Sequence, residues 1–358
     1  MSPTNDLISI LAIESSCDET ACAIVQKSPD TSLVKVTSSI TATSLAKHKA
    51  TQGIVPEVAA REQLKYILPV IEDAIKEHKT LKLDAIAVTT GPGLVGSLLV
   101  GIETARALAV AWQLPVIPVN HVQAHPYANF VKQQADEQQE PDFPILSWVI
   151  SGGHTDLYLM NSHQDIQKLG STVDDAAGEC FDKCARVLGF DYPGGPFIEK
   201  LAQECNNDFL TAFKGESVHL PRPLLHEKTF DMSFSGLKTA FLRAYTEKNK
   251  TVDAKDLKVL LAHELQEAIG DIMIKRTEQA LKEFPTIRSI IVSGGVAANK
   301  RLKQKLEEKL LNTESYQHIS LHFPPLSLCT DNAVMIGAYA AFHFDQKTSW
   351  DNVRLMLR

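Results

Sequence analysis

The sequence predicts an α/β protein built twice on one plan, with a cleft between the two halves. Three observations lead there. At 358 residues the chain can form one large or two medium domains with ample core. A strand–turn–strand pattern opens each half, at residues 7–26 and again at 144–160. A strand–glycine turn–helix pattern follows in each half, at 83–112 and at 287–311. The same units recurring in the same order point to duplication, and two such lobes would grip a ligand between them. Chance recurrence is the competing account, since strand–turn–strand is common, and a fold alone does not settle function.

Apolar residues make up 44% and charged residues 22% of the chain, ordinary values for a soluble globular protein. Six cysteines at 17, 22, 180, 184, 205 and 329 form no CxxC pair, which fits neither a disulfide framework nor a structural zinc site. Cys180 and Cys184 can face each other on a helix as buried free thiols. Met1 to Asp6 is polar and no apolar run approaches the length of a bilayer crossing, so a cytoplasmic protein with no membrane association is expected. The net charge of −7 works against nonspecific nucleic-acid binding. An RNA substrate would need a local basic patch or a partner. Candidate patches are 47–49, 222–228 and 300–309, the last interleaved with glutamates and read as a solvated helix face.

In chain order, Leu7 to Ile13 is an apolar strand, and Glu14 to Thr20 a polar turn before the returning strand Ala21 to Gln26. Such a turn can offer N–H groups to a phosphate, and Asp18 and Glu19 in it can hold a metal or a water. Leu33 to Ile40 is a third strand, and 46–57 a loop. Glu62 to Glu77 shows apolar residues at helical period. Leu83 to Thr89 is a strand followed by Gly91-Pro92-Gly93 and a mostly buried helix, Ser97 to Trp112. The glycine turn suits backbone approach to a phosphate but is no Walker loop, because no Gly-Lys-Ser/Thr closes it. Leu114 to Val119 is a buried strand. If a helix starts at Asn120, His121 and His125 lie one turn apart on one face. Two imidazoles so placed can chelate one divalent metal; equally, one can cap the helix while the other packs.

Residues 132–142 read as a surface linker. The second half runs from strand Pro144 to Ile150, through the turn Ser151 to His154, into strand Thr155 to Met160. Thr172 to Leu188 reads as helical, Asp191 to Pro196 as a break, and Asn206 to Met232 as irregular. Ser233 to Thr239 leads into a helix, and Leu257 to Glu283 is a long amphipathic helix ended by Pro285. Strand Ile287 to Val292, the turn Ser293 to Gly295 and a helix Val296 to Leu311 follow. Ser320 to Phe323, the break at Pro324-Pro325, and a small-residue helix Ala333 to Phe344 complete the chain.

Nine strings stand in order over nearly the whole chain: IESSCDET, GIVPEVAAR, GPGLVGSLLVG, HVQAH, VISGGHTDL, DDAAGECFDKCARVLGFDYPGG, DMSFSGLKTAF, SGGVAANKRL and CTDNAVMIGAYAA. Together they resemble the tRNA N6-adenosine threonylcarbamoyltransferase family, in its bacterial (TsaD) branch. The resemblance implies a duplicated actin/Hsp70-like fold with two lobes around a nucleotide cleft: residues 1–135 joined by the C-terminal helix 330–358, and residues 136–329 carrying a helical insertion. It also implies the reaction. The N6 amine of the adenosine 3′-adjacent to the anticodon, in tRNAs reading codons that begin with A, attacks threonylcarbamoyl-AMP, and AMP leaves. On the family's motifs, His121, His125 and Asp331 are the ligands of one divalent metal, iron(II) first and zinc(II) second. Val149, Ile150, Ser151, Gly152, Gly153, Asp182, Gly195 and Asn299 fall on the positions that bind the threonylcarbamoyl-AMP intermediate. The implied partners are tRNA, a paralogous TsaB-like subunit and a small TsaE-like P-loop ATPase.

The residue types suit those roles. Two histidines and a carboxylate leave coordination positions open for a substrate oxygen. Asp182 can accept from a ribose hydroxyl, or be an ordinary solvated helical Asp; Asn299 can bond the ligand, or simply start a helix. Asp331 by itself reads better as an N-cap than as a ligand. Asp18 and Glu19 are the candidates for assisting proton transfer. Gln123-Ala124 stands where the family often has Glu-Gly, which changes the charge near the metal, and Gln52 where a first Gly is frequent. A metallopeptidase would need a glutamate after the first histidine, where this chain has Val122. A sugar- or acetate-kinase-like ATPase would use Mg²⁺ and acidic residues and would have no use for a His/His/Asp set. An idle scaffold would have no need of all three ligands.

Overall fold

The computed structural model describes residues 7–48, 53–132, 139–212, 218–249 and 252–356. Lys49 to Gln52 of the expected 46–57 loop, and the centre of the expected 132–142 linker, lie outside them. The chain divides into two compact units, Met1–Glu140 with Pro324–Arg358, and Pro141–Phe323.

The first unit opens with strands β1 (Ile8–Glu14), β2 (Glu19–Lys27) and β3 (Lys35–Thr43), then helices α1 (Leu45–His48) and α2 (Pro56–Ile75). Strand β4 (Ala85–Gly91), helix α3 (Val95–Trp112), strand β5 (Val116–Asn120) and the single turn α4 (His121–Ala124) follow. The sheet order is β3-β2-β1-β4-β5, antiparallel across β3, β2 and β1, and parallel from β1 to β5. Alternation along β1 divides its side chains between two faces. Leu11 and Ile13 join Ile67, Ile71, Leu98 and Ile102 in the core beneath α2 and α3. Ala12 turns to the other face, where a C-terminal helix returns to pack. Burial on both faces explains why β1 reads as an unbroken apolar run.

The second unit repeats this plan with β6 (Ile145–Ile150), β7 (Thr155–Met160) and β8 (Ile166–Ser171). Helices α5 (Ala177–Val187), α6 (Gly195–Ala202), α7 (Asn207–Ala212), α8 (Ser235–Lys248) and α9 (Ala254–Glu283) precede β9 (Ser289–Ser293), α10 (Lys300–Leu311) and β10 (Ser320–His322). Its sheet order, β8-β7-β6-β9-β10, is the first sheet strand for strand, with the same directions. The Trp148 indole of β6 donates to Thr277 Oγ1 of α9 at 3.1 Å, tying sheet to helix. The chain then re-enters the first unit, where α11 (Ala333–Phe342) packs on β1 and β2. Its small residues permit a close approach: a Cβ on Gly337 would stand 2.7 Å from Val25 and 3.2 Å from Ala12.

Several elements differ from the sequence expectation. Thr172 forms a parallel bridge with Met232, residues 173–176 are irregular, and α5 begins only at Ala177. The hydroxyl of Thr172 donates to the Asp175 carbonyl, and Asp174 accepts from the Phe234 and Ser235 N–H groups, so these side chains draw the backbone away from helix. Strand β8, polar and bulged, carries no clear alternation and was not expected. The single helix expected over Val296 to Leu311 is interrupted: Gly295–Ala298 is a 3₁₀ turn, and Asn299, extended, caps α10 through Leu302 N–H. Helix α9 is not amphipathic along its middle. Leu260, Leu261 and Ala262, and again Ala268, Ile269 and Gly270, are all buried, because α6, α8 and α10 pack around it. Helix α3 corrects the statement about apolar runs, being long and apolar enough by itself to cross a bilayer. Its Ser97, Leu98, Gly101, Ile102, Ala105 and Ala109 are buried in the unit, and a core helix satisfies the same length criterion.

Candidate metal centre

Strand β5 ends at Asn120, whose side chain accepts from Val122 N–H at 3.0 Å and Gln123 N–H at 3.1 Å. Asn120 is thus the cap of α4, which leaves both histidines for other work. His121 and His125 are buried with ring centroids 4.8 Å apart, at 77° to each other. The turn before α11 brings the third group. Asn332 caps α11 by accepting from Met335 N–H, and this leaves Asp331 directed at the histidines. Asp331 Oδ1 lies 3.5 Å from His121 Nε2 and 3.5 Å from His125 Nε2. All three ligand atoms fall within 4.8 Å of one another.

These distances fit a shared ion. Nitrogen and oxygen ligands about 2.0–2.2 Å from a tetrahedral metal lie roughly 3.4 Å from each other. The electrostatics fit as well. Burial pushes the Glu19 carboxyl well above its ordinary value, and the neighbouring Asp331 and Asp18 push it further. Burial also pushes Asp331 up, to about 6, against the attraction of His121. Carboxylates crowded in this way are relieved by a cation. Burial pulls His121 down, but Asp331 and Glu14 more than offset it and hold the imidazole at about 9.

Glu14, at the end of β1, is the residue that sequence reasoning missed. It is fully buried; its Oε1 accepts Ser16 N–H at 2.5 Å, and its Oε2 accepts the Thr89 hydroxyl at 2.6 Å and lies 3.1 Å from His121 Nδ1. Its place at the head of the IESSCDET turn was visible, but a partner 107 positions away leaves no spacing signal. The turn itself is held from three sides. Gln63 of α2 donates to the Ser15, Cys17 and Glu19 carbonyls, the Ser15 hydroxyl donates to Ser97 O of α3, and Leu94 N–H donates to Ser16 O. Gly93 is required there, since a Cβ would meet Ser16 O at 2.6 Å. Asp18 and Glu19 therefore stand on a fixed loop beside Asp331.

The other expected site residues gather within the second unit. Val149 and Ile150 are wholly buried in β6, so their side chains serve the sheet core and only the turn beyond them projects. In that turn Ser151 N–H donates to His154 O and Ser151 Oγ accepts His154 N–H, while Gly152 and Gly153 are exposed with nothing within 4 Å of an added Cβ. Gly294 packs on the same strand end with φ of +90°, its absent Cβ lying 2.4 Å from Ile150 O. Asp182 Oδ1 accepts Gly194 N–H at 2.6 Å and holds the glycine loop that starts α6 at Gly195; burial still raises its carboxyl. Asn299 uses Oδ1 on Leu302 N–H and donates through Nδ2 to Gln266 Oε1 at 2.7 Å. Of the basic patches, Arg301, Lys305 and Lys309 pair with Glu267, Asp271 and Glu278 of α9, and Arg222 pairs with Glu264 and Asp271.

Comparison with known proteins gives one consistent set. The family model described as TsaD, tRNA N6-adenosine threonylcarbamoyltransferase, matches residues 35–338. A protein of that name from Halalkalibacterium halodurans is 41% identical over 344 residues, covering 95% of this chain and 92% of the relative. One from Geobacillus kaustophilus is 42% identical over 348 residues, covering 96% and 93%. One from Bacillus subtilis is 39% identical over 351 residues, covering 97% and 93%. Among solved structures, HypF from T. kodakarensis superposes with a TM-score of 0.58 at 13% identity, over 96% of this chain and 48% of that one, a likeness of fold alone.

Proposed function

The chain belongs to the tRNA N6-adenosine threonylcarbamoyltransferase family, and from that premise we propose how its residues do the work. The protein is a transferase with the duplicated actin/Hsp70-like α/β fold, and its reaction forms threonylcarbamoyladenosine in tRNA. The acyl donor in our reading is threonylcarbamoyl-AMP, and the acceptor is the adenosine next to the anticodon on its 3′ side. The convergence of His121, His125 and Asp331 carries this reading. A divalent ion held there, iron(II) by first preference and zinc(II) otherwise, supplies Lewis acidity toward the carbamoyl or phosphate oxygen.

The chain's own groups orient and move protons. The exposed backbone of Ser151 to Gly153 and the loop at Gly195 are open to close approach by the adenylate. Asp182 holds that loop and Asn299 starts α10, so both shape this surface while retaining unused hydrogen-bonding capacity for the ligand. Val149 and Ile150 contribute by fixing the strand end from which the turn projects. In our reading Asp18, on the turn, and Glu19, the first residue of β2, take the proton released when the N6 amine becomes an amide-type nitrogen.

With a net charge of −7 and its basic stretches largely ion-paired, the chain is suited to binding tRNA together with partners. A TsaB-like paralogous subunit and a TsaE-like ATPase are those we propose. Leu64 and Leu68 on α2, with Val95 and Leu99 on α3, expose apolar side chains on which the first could seat. We propose a cytoplasmic location, in keeping with a tRNA substrate.

The test is a reaction of the protein and its partners with threonine, bicarbonate, ATP, an adenylate-forming enzyme and tRNA, read by nucleoside mass spectrometry. Threonylcarbamoyladenosine should form, and its absence with every component present would overturn the reading. His121→Ala should lose the metal and the modification while its circular dichroism stays that of the parent. Full activity in metal-free H121A would remove the ion from the mechanism.

A further inference from the structure

We propose that Glu14 is the positioning residue of the metal centre: it fixes His121 with Nδ1–H as donor, so that Nε2, on the side of Asp331, is the nitrogen left to bind a metal. The inference rests on the metal site proposed above.

The geometry restricts the alternatives. Oε1 of Glu14 is occupied by Ser16 N–H, and Oε2 by the Thr89 hydroxyl, at 2.5 and 2.6 Å. An ionised carboxylate only accepts, so the nitrogen 3.1 Å from Oε2, His121 Nδ1, must carry the hydrogen. Ser16 Oγ lies 3.2 Å from the same nitrogen and shares it. With one hydrogen held on Nδ1, the nitrogen that gives up its proton to a metal is Nε2, on the side of Asp331 Oδ1 and His125. A neutral imidazole can bind a metal through only one nitrogen at a time, and its other hydrogen bond decides which one.

A purely structural role is the rival account, because Glu14 also ties β1 to β4 through Thr89. The two roles part under substitution. Glu14→Gln keeps the size but removes the charge, and its amide NH₂ can donate to Nδ1, which moves the imidazole hydrogen onto Nε2 and into the metal's place. Thr89→Val removes the tie to β4 and leaves the His121 bond in place.

The experiment strips the full-length protein of metal and titrates it with zinc(II) alone, and separately with iron(II) under anaerobic conditions. The proton on His121 Nδ1 is followed by NMR in the zinc-loaded form. E14Q should bind either ion about 10–100-fold more weakly and lose the hydrogen-bonded Nδ1 proton signal. T89V should stay within about threefold of the parent, and Glu14→Asp should lie between parent and E14Q. E14Q affinity within twofold of the parent, or a parent His121 protonated on Nε2, would overturn the proposal. So would an equal loss in T89V and E14Q, which marks a structural tie only. Should E14Q not fold, E14D carries the decision, and parental affinity with an undisturbed proton there also overturns it. A parent that binds neither ion removes the metal site itself, an outcome distinct from all of these.

Discussion

Gln63 is joined to the metal centre only through backbone. Its side-chain nitrogen donates to the carbonyls of Ser15, Cys17 and Glu19 at 3.1, 2.9 and 3.1 Å, two hydrogens shared among three acceptors. The Oε1 atom, buried, has no hydrogen-bond partner among the described residues, so the amide orientation is set by the carbonyls. Gln63→Leu leaves those carbonyls short of donors, and we expect about 2–3 kcal/mol lost from the unfolding free energy measured in urea. Metal affinity should fall as well, because the turn that carries Glu14 and Asp18 slackens; an unchanged affinity in a destabilised variant would confine Gln63 to stability. At this scale legibility followed distance along the chain. His121 and His125 show by their spacing. Asp331 lies some two hundred positions away and is found only through resemblance to a family. Glu14 and Gln63 act on a ring nitrogen and on backbone carbonyls, which leave no pattern in a sequence.

Among elements, strands buried on both faces were the easiest to read, and elements set by side-chain-to-backbone bonds were the hardest. The start of α5 and the break before α10 depend on Thr172, Asp174 and Asn299 capturing backbone groups, a competition that apolar periodicity does not register. The turn at β9 is tightly constrained. Gly294→Ala places a Cβ 2.4 Å from Ile150 O at φ +90° and should cost about 3 kcal/mol or more, seen as a lower thermal midpoint. Helices α9 and α10 are joined by charge. Burial pushes Glu267 up, but Arg301 and Lys305 outweigh it and bring the carboxyl from 4.5 to about 2. A carboxyl depressed in the folded state stabilises fully above its unfolded value and loses that contribution as pH falls from about 4.5 toward 2. Glu267→Gln should therefore flatten the acid limb of stability over that window. The expected difference is about 1–2 kcal/mol after allowance for solvent screening, read from urea midpoints at pH 5 and pH 2.5.

For the whole molecule, the repeated plan was legible because each half carries its own hairpin and glycine turn, and the two sheet orders match strand for strand. All three proposed metal ligands belong to one unit, although the chain leaves that unit at Glu140 and returns to it at Pro324. Ligand binding to the folded state alone, at a hundred times the dissociation constant, stabilises by about 2.7 kcal/mol. Hydrogen exchange with zinc(II) should slow in 7–132 and in 324–356 and leave 141–323 unchanged; slowing confined to 7–132 would disprove the assignment of Asp331. The same return of the chain matters during translation. When β1 to α4 have left the ribosome, the face of β1 that carries Ala12 still lacks α11, and Asp331 has not been made. A message cut short anywhere before the final segment yields a protein that cannot complete its ligand set. Retention of metal at the proposed site thus reports that translation passed Asp331, and chains that stop earlier leave the face of β1 that carries Ala12 uncovered by α11.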